Sequence, residues 1–123
     1  MTKEIVLYGI NNCDTVKKSL KWLKSNDIEF SFYDFKKQTL TKELLSSFLQ
    51  LSNWTALLNK RSTTYRNLSD DIKNNLTDDV IFEQVLAQPT LLKRPLLLVK
   101  QSENTESQLH LGFKEALYNN IFK

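Results

Sequence analysis

The sequence predicts an α/β protein whose mixed β-sheet is built as βαβ and ββα halves with a helical insertion between them. Three observations predict it. Two apolar runs rich in β-branched and aromatic residues, "EIVLYG" and "IEFSFYDF", flank a lysine-rich stretch with helical periodicity, the pattern of a βαβ unit. Near the C-terminal end, "RPLLLVK" and "QLHLG" are joined by "SENTES", too short a link for a crossover, so these strands form an antiparallel hairpin. Between the halves, at about 39–90, the chain reads as short helical segments, three of them opened by a capping residue, with a polar loop among them.

The elements follow in order. Glu4 to Gly9 is a short buried strand ended by glycine. From Thr15 to Ser25, Val16, Leu20 and Leu23 recur at helical spacing with Trp22 flanking, and Lys17, Lys18, Lys21 and Lys24 take most of the remaining positions. In the strand at 28–35, Ile28, Phe30 and Phe32 alternate with polar residues. Thr41 is an N-cap for a helix carrying Leu44, Leu45, Phe48 and Leu49, and a short helical turn with Trp54, Leu57 and Leu58 follows. "NKRSTTYRN" (59–67) is polar and without period, which predicts a loop. Ser69 caps a turn carrying Asp70 and Asp71, and Thr77 caps a helix with Ile81, Phe82, Val85 and Leu86 that stops before Pro89. A third strand opens at Arg94-Pro95, "QLHLG" is the fourth, and Phe113 to Phe122 is a final helix with Phe113, Leu117 and Ile121 on one face. This order is that of a thioredoxin-like sheet.

A chain of 123 residues has room for one core, so residues 1–123 are expected to be a single domain with the insertion inside it. The hydrophobic and charged fractions, 41% and 25%, are those of an ordinary globular protein, and no window approaches the length of a membrane span. The N-terminal apolar run is too short for a signal peptide, which predicts a cytoplasmic protein. The net charge of +3 comes from 17 basic residues scattered among 14 acidic ones, so no nucleic-acid or membrane partner is expected, and nothing demands more than a monomer.

The single cysteine, Cys13, carries the chemical interest. It falls between the first strand and the first helix, where unpaired N–H groups and the positive end of the helix dipole stabilise a thiolate or hold an anion. Lys17, one turn along, adds positive potential, whereas the carboxylate of Asp14 opposes it or caps the helix. Three residues beyond Cys13 stands Val16, so an internal dithiol is excluded and any redox cycle is monothiol, resolved by an external thiol. One cysteine and one histidine give no basis for a metal site. Arg61 and Arg66 in the polar stretch and Arg94 at the third strand suit bidentate binding of an oxyanion or carboxylate. Cys13 is thus the candidate nucleophile, and Asn12, Asp14, Arg61, Arg94 and Pro95 are the candidate substrate- or anion-binding residues. His110 alternates with Leu109 and Leu111, which predicts that it points from a polar face of the sheet, while Trp22 and Trp54 are core or boundary residues.

Taken together, "LYGINNCDTVKKSLKWL", "LLNKRSTTYRNL", "LLKRPLLLV" and "LGFKEALY" make the chain similar to the arsenate reductase (ArsC)/Spx-like family, in particular its YffB-type branch. The resemblance implies a thioredoxin-like fold with a helical insertion, Cys13 as nucleophile, a cis peptide bond at Pro95 and Arg94 beside the thiol. Glutaredoxin-coupled arsenate reductases of this family hold the oxyanion with three arginines. Arg94 matches the second. At the first position this chain has Leu57-Leu58-Asn59 with Arg61 two residues on, and Lys114 is the nearest cation to the third. Spx-type members are regulators that bind RNA polymerase and often switch through a CxxC pair, which this chain lacks. The expected function is a glutathione-dependent monothiol reductase acting on a mixed disulfide or a small oxyanion such as arsenate. Glutathione is its co-substrate, glutaredoxin a further partner, and no cofactor is bound. The alternative is a non-catalytic, Spx-like binding module contacting RNA polymerase or another protein.

Overall fold

The computed structural model describes residues 4–10, 13–100 and 107–122. Chain order is β1 (Glu4–Gly9), α1 (Asp14–Ser25), β2 (Ser31–Asp34), α2 (Lys42–Leu51), α3 (Trp54–Leu57), α4 (Thr63–Arg66), α5 (Asp70–Asn74), α6 (Asp78–Ala87), a 3-10 turn (Pro89–Leu91), β3 (Leu96–Lys100), β4 (Gln108–Leu111) and α7 (Glu115–Phe122). These fall into two compact units, Met1–Gln38 with Arg94–Lys123, and Thr39–Lys93.

The first unit carries a four-stranded mixed sheet in the order β2-β1-β3-β4, the thioredoxin-like arrangement. β1 runs parallel to β2 and antiparallel to β3, and β3 is antiparallel to β4. Leu7 stands opposite both Phe32 and Leu97, and Ile5 opposite Val99, so these side chains share one face. Trp22 and Leu23 of α1 and Tyr118 of α7 complete a buried cluster with Ile5, Leu7, Leu97 and Val99. The opposite face is buried too: Val6, Tyr8, Leu96 and Leu98 are at most 9% exposed. Burial on both faces is why β3 reads as an unbroken apolar run rather than an alternating one. Each such leucine contributes on the order of 1.5–3 kcal/mol of transfer free energy.

Two local devices set α1. At its start, a Cβ built on Gly9 would lie 2.8 Å from Cγ2 of Val16, so the glycine lets the first turn of α1 close against the end of β1. At its end, Ile28 N–H donates to Leu23 O (3.0 Å) and Asp27 N–H to Lys24 O (3.2 Å), with Asp27 in the left-handed region at φ 57. That paired closure is a Schellman motif, with aspartate where glycine is usual and the apolar Ile28 packed back on the core.

The second unit is helical. Thr41, Asn53, Ser62, Ser69 and Thr77 each accept a backbone N–H in the first turn of the helix they open. Its buried residues include Leu45, Phe48, Leu57, Ile81, Val85, Leu91 and Leu92. An isolated bridge pairs Leu58 with Leu92, and Asn59 N–H donates to Leu91 O at 2.7 Å.

The structure departs from the sequence reading in several places. The stretch expected as a loop at 59–67 contains α4, a single turn capped by the Ser62 hydroxyl, which accepts from Tyr65 N–H at 3.1 Å. Four residues are too few to show a period. β2 spans Ser31–Asp34 only, because the Schellman closure holds Ile28 out of the sheet. The third strand begins at Leu96 rather than at Arg94. The turn expected at 102–107 lies, apart from Ser107, outside the described residues. No helix among the described residues is long and apolar enough to cross a membrane.

Candidate functional site

The end of the sheet at which β1 and β2 finish and β3 begins gathers four of the candidate residues. Gly9 is opposite Asp34, and Tyr8 opposite Leu96, so Cys13, four residues beyond Gly9, and Arg94-Pro95, just before Leu96, leave the sheet at this same end. Cys13 is the N-cap of α1, with extended backbone (φ -96, ψ 126) and a half-buried side chain. Its carbonyl accepts from Lys17 N–H at 2.9 Å, the first intrahelical bond, and its own N–H donates to Ile10 O at 3.4 Å. The Cys13 side chain makes no capping hydrogen bond to α1. The five capped helices of the second unit each give a first-turn N–H to an oxygen, whereas the N-cap of α1 offers only sulfur. Cys13 thus brings a thiol, in place of a capping oxygen, to the first turn of α1, where backbone N–H groups and the positive end of the helix dipole favour negative charge.

Asp14 is the first residue of α1 and exposed, and Lys17 is exposed one turn later. The Arg94–Pro95 peptide bond is cis, as the family resemblance implies. Pro95 is buried, and its carbonyl accepts from Gly112 N–H at 2.9 Å, which ties it to the end of β4. Arg94 is half-buried, with its Nε enclosed. An arginine so held is restricted in direction, as bidentate recognition of an oxyanion or carboxylate requires.

Asn12 falls outside the described residues. Arg61 belongs to the helical unit, where it is exposed and its N–H donates to Asn59 Oδ1 at 3.1 Å; Arg66 is exposed in the last turn of α4. Lys114 is exposed, and its carbonyl accepts from Tyr118 N–H at the start of α7. Among the described residues, no group of three or more His, Cys, Asp or Glu is placed to hold a metal ion.

His110 corrects the sequence reading. It stands opposite Leu97, so it shares the face covered by α1 and α7, and the leucines beside it face the other way. Alternation alone could not tell which face was polar, because both are buried in the middle of the sheet. Burial pushes the imidazole below its usual range, and Nε2 lies 3.3 Å from Gln108 Oε1.

Two buried polar groups near α1 have no local signature in the sequence. Ser19 is fully buried, and its hydroxyl lies 2.6 Å from that of Tyr118, 99 residues away. Burial pushes the phenol of Tyr118 up to about 12, although the bond to Ser19 works the other way. Asp34, 5% exposed, accepts Lys36 N–H on Oδ1 at 2.9 Å, and its carbonyl accepts from Lys37 and Gln38. It holds the turn that leaves β2 at the site end of the sheet.

Comparison with known proteins agrees with this geometry. Over 97% of this chain and 99% of the other, the fold superposes on the YFFB protein with a TM-score of 0.83 at 33% identity. An arsenate reductase (ArsC) related protein from Brucella melitensis is 39% identical, with a TM-score of 0.73 over 98% of this chain and 95% of that one. The global transcriptional regulator Spx of Lactiplantibacillus plantarum is 29% identical over 90% of this chain and 80% of its own length. The family model described as ArsC family matches residues 8–121, which include every site residue described above. The chain belongs to the ArsC family.

Proposed function

We propose that this protein is a glutathione-dependent monothiol reductase whose nucleophile is Cys13. The observation that carries the reading is the place of Cys13 at the start of α1: its sulfur stands where a capping oxygen would and makes no capping bond, so the positive end of the helix lies beside it to stabilise a thiolate or the anion it attacks. Arg94, at the same end of the sheet, binds the carboxylate of a glutathionyl group or the oxygens of a small oxyanion such as arsenate. With a mixed disulfide the cycle balances without a second protein cysteine. The Cys13 thiolate attacks the glutathionyl sulfur and expels the substrate thiolate, leaving Cys13 in disulfide linkage with glutathione. A second glutathione, alone or through glutaredoxin, then attacks that linkage, releasing oxidised glutathione and the Cys13 thiolate. All of this suits the reducing cytoplasm. The likeness to Spx supports a second reading, a binding module for a protein partner such as RNA polymerase.

The test is turnover. With glutathione, NADPH and glutathione reductase, the protein should reduce the glutathione mixed disulfide of hydroxyethanethiol or arsenate. Cys13→Ser should abolish turnover of both. Arg94→Ala should raise KM by about tenfold or more, the loss of one charge-assisted contact. Cys13 should also alkylate faster than free glutathione at neutral pH. Alkylation no faster than glutathione, with no turnover of either substrate, would reject the enzyme and favour the binding module.

A further inference from the structure

The outward face of α1 carries a charge pattern that catalysis at Cys13 does not explain. Lys17, Lys21 and Lys24 follow one another at i, i+4 and i+7, with Lys18 beside them, and all four are exposed. They form one stripe rising about 10 Å along the helix. None makes an ion pair with another described residue. Like charges at such spacings destabilise the helix. Within α1 itself, Asp14 and the C-terminal end of the helix dipole offset that.

Beside the stripe lies a cleft of about 500 Å³ between α1 and the chain entering α7. Lys18 and Lys21 line one wall and Glu115 the other, and Trp22 and Phe113 give it an aromatic lining. The cleft has ample room for a large apolar side chain and a largely apolar lining, and the two lysines on it match carboxylates against the single carboxylate of Glu115.

We propose that this face of α1 docks an acidic segment of a partner protein, which seats one aromatic or large aliphatic side chain in the cleft and lays carboxylates along Lys18, Lys21 and Lys24. The proposal stands on charge complementarity and the adjoining cleft, and does not need Cys13 to be catalytic. A duplex nucleic acid would satisfy the lysines but would leave the cleft unfilled.

The probe is a short fluorescein-labelled peptide of aspartate and glutamate with a central phenylalanine. Its companions are the same peptide with alanine at the centre and a short DNA duplex. The phenylalanine peptide should bind with an affinity that falls with ionic strength, and should shift amide resonances of α1 and of Phe113 to Glu115. The alanine peptide should bind several-fold more weakly. The triple variant K18E/K21E/K24E should lose about tenfold or more, and K18Q/K21Q/K24Q, the gentler change to the fold, an intermediate amount. Circular dichroism would show whether each variant keeps its helices. Binding indifferent to both triple variants, or equal for the two peptides, would overturn the proposal. So would resonance shifts away from α1, or tighter binding of the duplex than of the phenylalanine peptide.

Discussion

Substituting Gly9 by alanine tests how α1 is held against the sheet. The added Cβ would lie 2.8 Å from Val16 Cγ2 and 3.4 Å from Cγ1, the first well inside ordinary van der Waals contact. Val16 has little freedom to yield, because a β-branched side chain in a helix holds one strongly preferred rotamer and this one is fully buried. Overpacking of this kind costs about 1–3 kcal/mol, from which reduced freedom of the unfolded chain returns about 0.4–1 kcal/mol. Gly9→Ala should therefore destabilise by about 1–2 kcal/mol, read as a lower urea midpoint at unchanged m-value. Val16→Ala alone leaves a cavity and should cost about 2 kcal/mol. In that background the alanine at position 9 has room, so its cost should vanish or reverse, a coupling of at least about 1 kcal/mol. Since Cys13 lies one turn before Val16, Gly9→Ala should also change the rate of Cys13 alkylation. A Gly9→Ala cost that is the same with valine and with alanine at position 16 would refute the steric account.

Further outcomes follow from other named contacts. Tyr118 should make stability fall as pH rises from 10 towards about 12, because the unfolded phenol ionises first and the buried one resists. The full loss is about 2–3 kcal/mol, and the difference between the wild type and Tyr118→Phe in urea midpoints across that range isolates it. Ser19→Ala should cost about 1–3 kcal/mol by leaving the Tyr118 hydroxyl buried without its partner, and Ser19→Ala/Tyr118→Phe should cost less than the two singles added. Asp27→Gly should raise stability by about 0.5–1 kcal/mol in thermal or urea unfolding, since Asp27 holds φ 57 at the end of α1. Burial depresses the imidazole of His110 in the folded state, so its contribution is present above pH 6.5 and lost as pH falls. His110→Gln should flatten that acid limb.

Much of the fold was legible because it is written in short-range chemistry. β1, α1, α2, α6 and the antiparallel pair β3–β4 announce themselves through apolar period and capping residues, and the three expected caps, Thr41, Ser69 and Thr77, accept the bond that their type predicts. The placement of Cys13 at the start of α1 followed from the same reasoning. α4 was hidden because one turn has no period, and β2 was overextended because its aromatic alternation ran on through Ile28 and Phe30, which pack on the core from outside the strand.

By itself, then, the sequence determined that there is one thiol, that it stands between a strand and a helix, and that no second sulfur can close an internal disulfide. Those are matters of residue identity and local pattern. Only the tertiary structure decided that His110 shares a face with Leu97, that Ser19 meets a tyrosine 99 residues away, and that Arg94 leaves the sheet at the same end as Cys13. Helix packing settles the second and strand direction the third, while the first is a matter of register, a property of paired chains: shifting one strand by a single residue would turn every one of its side chains to the other face while leaving the sequence unchanged.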